Sequence, residues 1–314
     1  MTTSALRAAS VFIDGEAGTT GLEIRERLAG SSDILVRSIA PEKRKDPSAR
    51  ATMMREVDLV VLCLPDDAAK DAVAIADGLG KDAPRIVDAS TAHRVATGWA
   101  YGFAELDAAQ RGKIAKAMRV SNPGCYPTGA IALLRPLVAA GLIPADHPVT
   151  INAVSGYSGG GKSMIEAYEV KGTAPAFELY GLGLEHKHVP EIEKYASLTR
   201  RPIFVPSVGN FRQGMLVSVP LHLDVLPGKP SVADLGATLE KHYLGAEFVS
   251  VVPAETFKGR MAAEDLNGTD RMQLAVFGNA AHSQAVLVAR LDNLGKGASG
   301  AAVQNIRLML GLDG

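Results

Sequence analysis

The sequence predicts an α/β chain, with a Rossmann-type parallel-sheet domain and an α+β domain built on a mixed or antiparallel sheet. Three observations carry this expectation. Short β-branched runs alternate with helical stretches through the first third of the chain. A glycine-rich turn, GEAGTTG (15–21), follows the first of those runs. From about Val149 the texture changes to strand-like, often alternating runs with few helices among them. The 314 residues exceed one ordinary core. The expected division is 1–124, completed by a C-terminal helix within 293–314, and a second domain over 125–292.

Taken in order, SVFIDG (Ser10–Gly15) is a strand ending in glycine. TTGLEIRERLAG carries Leu22, Ile24 and Leu28 along a helix that Gly30 stops. ILVRSI (Ile34–Ile39) is a second strand. VDLVVLCLP (Val57–Pro65) is a third, and its unbroken apolar run implies burial on both faces. AAKDAVAIADGLG reads as a helix and RIVDAS (Arg85–Ser90) as a fourth strand. In the second half, VTINAVSGYSGGG, PIFVPSVG, MLVSVPLHLDVLP and EFVSVVP are strand-like, with SVADLGATLEKHYLG a helix among them. GAAVQNIRLMLG (Gly300–Gly311) returns to helix and packs back on the first domain.

Composition narrows the function. Lys plus Arg (33) balance Asp plus Glu (34), so no broad basic footprint for nucleic acid exists. The longest apolar runs are strand-length, far short of a membrane span. Near the N-terminus there is one basic residue, Arg7, and the run VFI stops at Asp14, unlike a signal peptide. Two cysteines make neither a disulfide framework nor a metal site, which suits a reducing cytoplasm.

The loop at 15–21 places Gly15, Gly18 and Gly21 where a strand passes into a helix beginning Thr19-Thr20. Glycine lets the backbone approach phosphates, and the helix N-terminus supplies amide donors. The second strand runs into Arg37-Ser38, where an NAD site would place an acidic residue; Lys43, Arg44 and Lys45 follow. A 2′-phosphate suits Ser38 with Lys43 and Arg44, which favours NADP.

SNPGCYPTGAIALLRP (Ser121–Pro136) places Cys125 after the Asn122-Pro123-Gly124 turn, with helical character from Thr128. Helix-terminal amides stabilise a thiolate, the nucleophilic form of cysteine. Cys63, inside VVLCLP, reads instead as an inert core residue. His186 and His188, in EHKHVPEI, share one face if the chain there is extended, and Pro190 suits a first helical position. Histidine suits general acid–base work near neutrality. Spacing does not choose between the two. His93, His147, His222, His242 and His282 read as surface residues.

SNPGCYPTGAIALLRP resembles the cysteine signature of the N-acetyl-gamma-glutamyl-phosphate reductases, and GEAGTTG, YGFAEL, VSGYSGGGK, HKHVPEI and DNLGKGASGAAVQN extend the likeness over most of the chain. The compact length and the KRKD loop resemble the short class of that family. Ala104 departs from a proline usual in the long class. The resemblance implies an oxidoreductase of arginine biosynthesis that reduces an acyl phosphate with NADPH through a Cys125 thioester, working as a homo-oligomer. It implies that His186 and His188 supply the acid–base group, that Arg94 binds the acyl phosphate, and that Asn122 lies at the substrate. Ser155, Gly156 and Tyr157 then floor the acyl pocket, Glu191 orients a histidine or meets the substrate amide, and Asn293 joins the cofactor contacts. No metal is implied. His282, in AAHSQA, resembles the catalytic segment of the related aspartate-semialdehyde dehydrogenases, but is expected on a strand distant from HKHVPEI. The alternatives are reduction of an aspartyl or aminoadipyl phosphate, and a non-catalytic NADP-sensing module whose nucleotide binding ignores alkylation of Cys125.

Overall fold

A computed structural model describes residues 7–312. The chain divides into two compact units. The first takes residues up to Ala104, Ala109–Asn122, and Ser299 onward; the second takes Glu105–Ala108 and Pro123–Ala298.

In the first unit β1 (Ala9–Asp14), α1 (Thr19–Leu28), β2 (Ile34–Arg37), α2 (Pro47–Arg55), β3 (Leu59–Leu62), α3 (Asp66–Asp77), β4 (Arg85–Asp88), β5 (Ala100–Tyr101), α4 (Gln110–Lys116) and β6 (Arg119–Ser121) follow in order. The six strands form one parallel sheet ordered β2-β1-β3-β4-β6-β5. Alternate residues of each strand face opposite layers. Val11, Ile13, Val61 and Val87 pack with Ile24 and Leu28 of α1, Ile114 of α4, and Ile306 and Met309 of the C-terminal helix Gly300–Leu310. Phe12, Val60, Leu62 and Ile86 pack on the other side with Met54 of α2 and Ala69 and Val73 of α3. Each such side chain removed from water contributes about 1.5–3 kcal/mol. Leu22 departs from the expected inner stripe of α1: it is 48% exposed. The strand order reverses between β1 and β3, the place where ligands bind beyond the carboxyl ends of an open α/β sheet.

The second unit contains α5 (Cys125–Ala139), β7 (Thr150–Gly156), α6 (Gly161–Glu166), β8 (Phe177–Leu179), α7 (Val189–Tyr195), β9 (Ile203–Gly209), β10 (Met215–His222), α8 (Val232–Tyr243), β11 (Val249–Val251), β12 (Met272–Asn279) and β13 (Gln284–Leu291). Its seven-stranded mixed sheet is ordered β11-β12-β13-β10-β7-β9-β8. Helices α5 and α8 lie on the sheet, and α7 packs on α5. Under them the strands bury Met215, Val217, Val219, Leu221, Ala285, Leu287 and Ala289. The opposite face also carries apolar side chains. Val154, Phe177, Leu216, Phe277, Val286 and Val288 help line a groove of about 750 Å³ there. His282 lies not on a strand but in the turn Ala280–His282 between β12 and β13.

Among the described residues no helix is long and apolar enough to cross a membrane. The N-terminal residues 1–6, part of the stretch read as unlike a signal peptide, fall outside the described residues.

Candidate active site

Helix α5 begins at Cys125 itself, ahead of the helical pattern that starts at Thr128. Gly124 is its N-cap, in extended conformation (φ −73°, ψ 151°), and no side chain caps the first turn. Pro127 is tolerated there because first-turn amides have no partner inside the helix. The Gly124 N–H donates to Glu191 Oε1 at 2.8 Å, and Glu191 is 1% exposed. The Gly124 carbonyl accepts from Thr128 N and Thr128 Oγ1 at 3.0 and 2.9 Å. The residue before the sulfur is therefore held on both sides. A further wall comes from Gly297, where a Cβ would stand 3.0 Å from Cys125 Cβ.

Aromatic rings surround this point. Tyr126 Oη donates to Ser207 O at 2.9 Å, and Tyr180 Oη donates to Tyr126 Oη at 3.3 Å. Burial pushes both phenols up, Tyr180 to about 12, and the neighbouring Cys125 charge raises each further. His186 and His188 meet edge to face with centroids 4.7 Å apart, and Tyr126 stands 6.2 and 5.9 Å from them. The two imidazoles do converge, but not along an extended chain. His188 is the N-cap of α7 with helical angles, Val189 begins the helix, and Pro190 is its second residue. The turn brings the His188 N–H to His186 Nδ1 at 3.1 Å. Burial, then Lys187, lowers the His186 pKa to about 4. His186 is thus neutral near pH 7, and an Nδ1 that accepts leaves the proton on Nε2.

Cys63 contrasts with this. Burial, then Asp88 and Asp14, pushes its thiol up to about 12. Both cysteines are free thiols.

In the first unit the glycine loop fits a dinucleotide's phosphates. Gly15 has φ +94°, and a Cβ there would lie 2.2 Å from the Cys63 carbonyl oxygen. A Cβ at Gly21 would lie 2.5 Å from Gly15 O, so glycine is what lets α1 start this close to the turn. Gly18 N-caps α1 without a side-chain partner, leaving the first-turn amides at Thr19, Thr20 and Gly21 to a ligand or solvent. Beside them a cleft of about 510 Å³ is lined by Glu16, Leu22, Arg25, Ser38 and Arg44 among others. Lys43 is exposed in the short turn Pro41–Lys43 and does not line that cleft.

Residues 125–293 match the family described as semialdehyde dehydrogenase, dimerisation domain. N-acetyl-gamma-glutamyl-phosphate reductase from Brucella ovis is 57% identical over 307 residues, spanning 96% of this chain and 98% of that protein. The chain belongs to the N-acetyl-gamma-glutamyl-phosphate reductase family. The Brucella melitensis reductase is likewise 57% identical over the same shares of both chains. Among solved structures, aspartate semialdehyde dehydrogenase II from Vibrio cholerae superposes with a TM-score of 0.72 at 17% identity, covering 97% of this chain and 98% of that one. The Candida albicans aspartate semialdehyde dehydrogenase, solved with NADP, gives 0.67 at 14%, covering 97% and 99%. At such identities these two speak for the fold.

Several residues read from the N-acetyl-gamma-glutamyl-phosphate reductase resemblance have protein partners. Arg94 Nε donates to Asn122 O at 3.1 Å and its Nη2 to Ala89 O at 3.2 Å. Asn122 Oδ1 accepts from Asn305 Nδ2 at 3.0 Å. Asn293 lies in the second unit, where Oδ1 accepts from Gly214 N at 2.8 Å and Nδ2 donates to Ser158 Oγ at 2.9 Å. Ser155 is buried, and its Oγ donates to Gly156 O at 3.0 Å. Gly156 N donates to Gly214 O at 2.9 Å. Tyr157 turns to stack on Tyr168 at 4.6 Å and donates to Glu169. His93 is no surface residue: its Nδ1 is 2.6 Å from the buried Asp88 carboxylate, and its ring stacks on Trp99. Sequence reasoning missed Tyr126, Tyr180, Glu16 and Arg25. Arg25 is four residues after Gly21 on α1, one turn along the same face, and that spacing was the available signal.

Among the described residues no group of three or more His, Cys, Asp or Glu is placed to hold a metal ion.

Proposed function

We propose that this chain reduces N-acetyl-glutamyl 5-phosphate to N-acetyl-glutamate 5-semialdehyde, releasing phosphate, in the cytoplasm and within arginine biosynthesis. The observation that carries this reading is Cys125 at the start of α5, with the preceding Gly124 amide held by Glu191 and the paired histidines set against the ring of the next residue, Tyr126. First-turn amides favour the anionic sulfur electrostatically. The thiolate attacks the acyl carbon, a C–S bond forms, and the C–O bond to phosphate breaks as phosphate leaves. NADPH, when bound, supplies the hydride that reduces the resulting thioester. Gly15, Gly18, Thr19, Thr20 and Gly21 would hold its pyrophosphate, and Ser38 with Arg44 its 2′-phosphate. His188 takes the thiol proton before attack, gives it to the oxyanion left when the thioester is reduced, and takes it back as the carbonyl re-forms and the C–S bond breaks, with the sulfur leaving as thiolate. His186, neutral and protonated at Nε2, donates a hydrogen bond to that oxygen in the manner of an oxyanion-hole group. Arg94, through Asn122 O, fixes the turn before the sulfur. Ser155, buried at the end of β7, floors the acyl pocket. The deciding assay runs in reverse: N-acetylglutamate semialdehyde, phosphate and NADP⁺ should yield NADPH, and aspartate semialdehyde should yield far less. The opposite preference would move the chain to another acyl phosphate.

Glu191 is a positioning residue in this scheme. Glu191→Ala should cost about 1–3 kcal/mol of stability by leaving the buried Gly124 N–H unpaired. It should also lower kcat, while Glu191→Gln, which keeps an acceptor, recovers most of both. Chemical denaturation alongside steady-state kinetics checks this.

The working form is a homodimer joined through the apolar face of the seven-stranded sheet. Leu216→Asp and Val288→Asp, each placing a charge in the 750 Å³ groove, should shift the mass measured by light scattering from dimer to monomer. An unchanged dimer would place the interface elsewhere.

A further inference from the structure

The cleft beside the glycine loop contains a carboxylate where a phosphate-binding seat would be expected to hold none. Glu16 is 7% exposed and belongs to the loop itself. Its Oε2 accepts from Arg25 Nη1 at 2.6 Å and from Ser38 Oγ at 2.8 Å, and its Oε1 accepts from Arg44 Nη2 at 2.7 Å. Arg25 Nη1 also donates to Ser38 Oγ at 2.7 Å. Three donors from α1, the end of β2 and the following loop thus converge on one buried anion. The pair Glu16–Arg44 borders both this cleft and a smaller one of about 150 Å³ lined by Ile39, Lys45 and Leu64.

We propose that Glu16 is a built-in anion of the seat for the cofactor's 2′-phosphate. The inference rests on the NADP reading above and adds two residues to it, Arg25 and Glu16. The carboxylate holds Arg25, Ser38 and Arg44 aimed at a single point while the seat is empty, and a phosphorylated ribose displaces it. With the carboxylate in place the seat carries one net positive charge; with it withdrawn the two guanidiniums match a phosphate dianion. Displacement therefore lowers the affinity for a 2′-phosphate below what the same donors would give alone. An unphosphorylated ribose displaces nothing and meets a carboxylate that accepts its 2′-hydroxyl. Glu16 is in this way a specificity-determining residue that narrows the preference for NADP(H) over NAD(H).

The test measures binding of two adenosine fragments to the full chain by calorimetry, independently of turnover: 2′,5′-ADP, which carries the 2′-phosphate, and 5′-AMP, which lacks it. Glu16→Gln should tighten 2′,5′-ADP roughly tenfold, the scale of one removed like charge near a surface, and should not tighten 5′-AMP. Glu16→Ala, run in parallel, should act in the same direction. Arg25→Gln should weaken 2′,5′-ADP about tenfold or more and leave 5′-AMP unchanged. Unchanged or weaker 2′,5′-ADP binding in both folded Glu16 variants, judged by thermal unfolding, overturns the proposal and leaves the NADP reading standing. Wild-type protein that binds 5′-AMP as tightly as 2′,5′-ADP overturns both.

Discussion

Cys125→Ser is expected to lower kcat by about 10⁴–10⁶-fold, the scale on which an enzyme loses its nucleophile. Affinity for NADPH, measured by direct binding, should stay near the wild-type value, because the sulfur forms a bond to substrate rather than to nucleotide. The matched control is Cys63→Ser. That thiol is pushed up to about 12, so it is protonated at working pH, and losing it leaves the chemistry intact. Its cost falls on stability instead, about 1–3 kcal/mol for a hydroxyl among apolar neighbours. Iodoacetamide should therefore modify Cys125 first and remove activity in step. Substantial turnover in Cys125→Ser would sink the covalent route.

The second large effect separates the two histidines. His188→Asn should lower kcat by roughly 10²–10⁴-fold and remove one limb of the pH–rate profile, as loss of an acid–base group does. Thioester should form slowly and its reduction should stall. His186→Asn should act mainly through KM, since a neutral donor contacts the substrate oxygen without exchanging its proton. His186 also carries a stability signature. Its folded pKa, about 4, lies below the ordinary 6.5, so between those values the unfolded chain binds more protons. The stability it contributes is complete above pH 6.5 and is lost as pH falls towards 4. Denaturation midpoints across that window should flatten in His186→Asn. Full activity in both single mutants would move the proton transfer to another group.

Much of the fold was legible because its signals are local. The unbroken LVVL of β3 is buried at every residue, as an interior parallel strand requires. The glycine loop and the Pro-Gly turn before Cys125 likewise declare backbone geometry directly. What stayed hidden depends on partners distant in sequence. The convergence of His186 and His188 follows from the start of α7, whose cap is His188 itself, not from strand periodicity. Glu191 looked free to meet a histidine or a substrate, yet it accepts the Gly124 amide from 67 residues away. Lys43 and Arg44 are neighbours of equal charge, and only the turn at Pro41–Lys43 aims Arg44 at Glu16.

Helix α5 buries Tyr126 through Leu134 without interruption, so the sulfur is carried at the end of a rod sunk in the core of its unit. Such a mounting has an evolutionary consequence. Mutations that alter the rod disturb packing and nucleophile together, which leaves little room to retune either alone. Change in which acid is accepted falls instead to loop side chains outside the rod, which can be exchanged without moving the attacking atom. A lineage of this architecture keeps its chemistry and diversifies its diet.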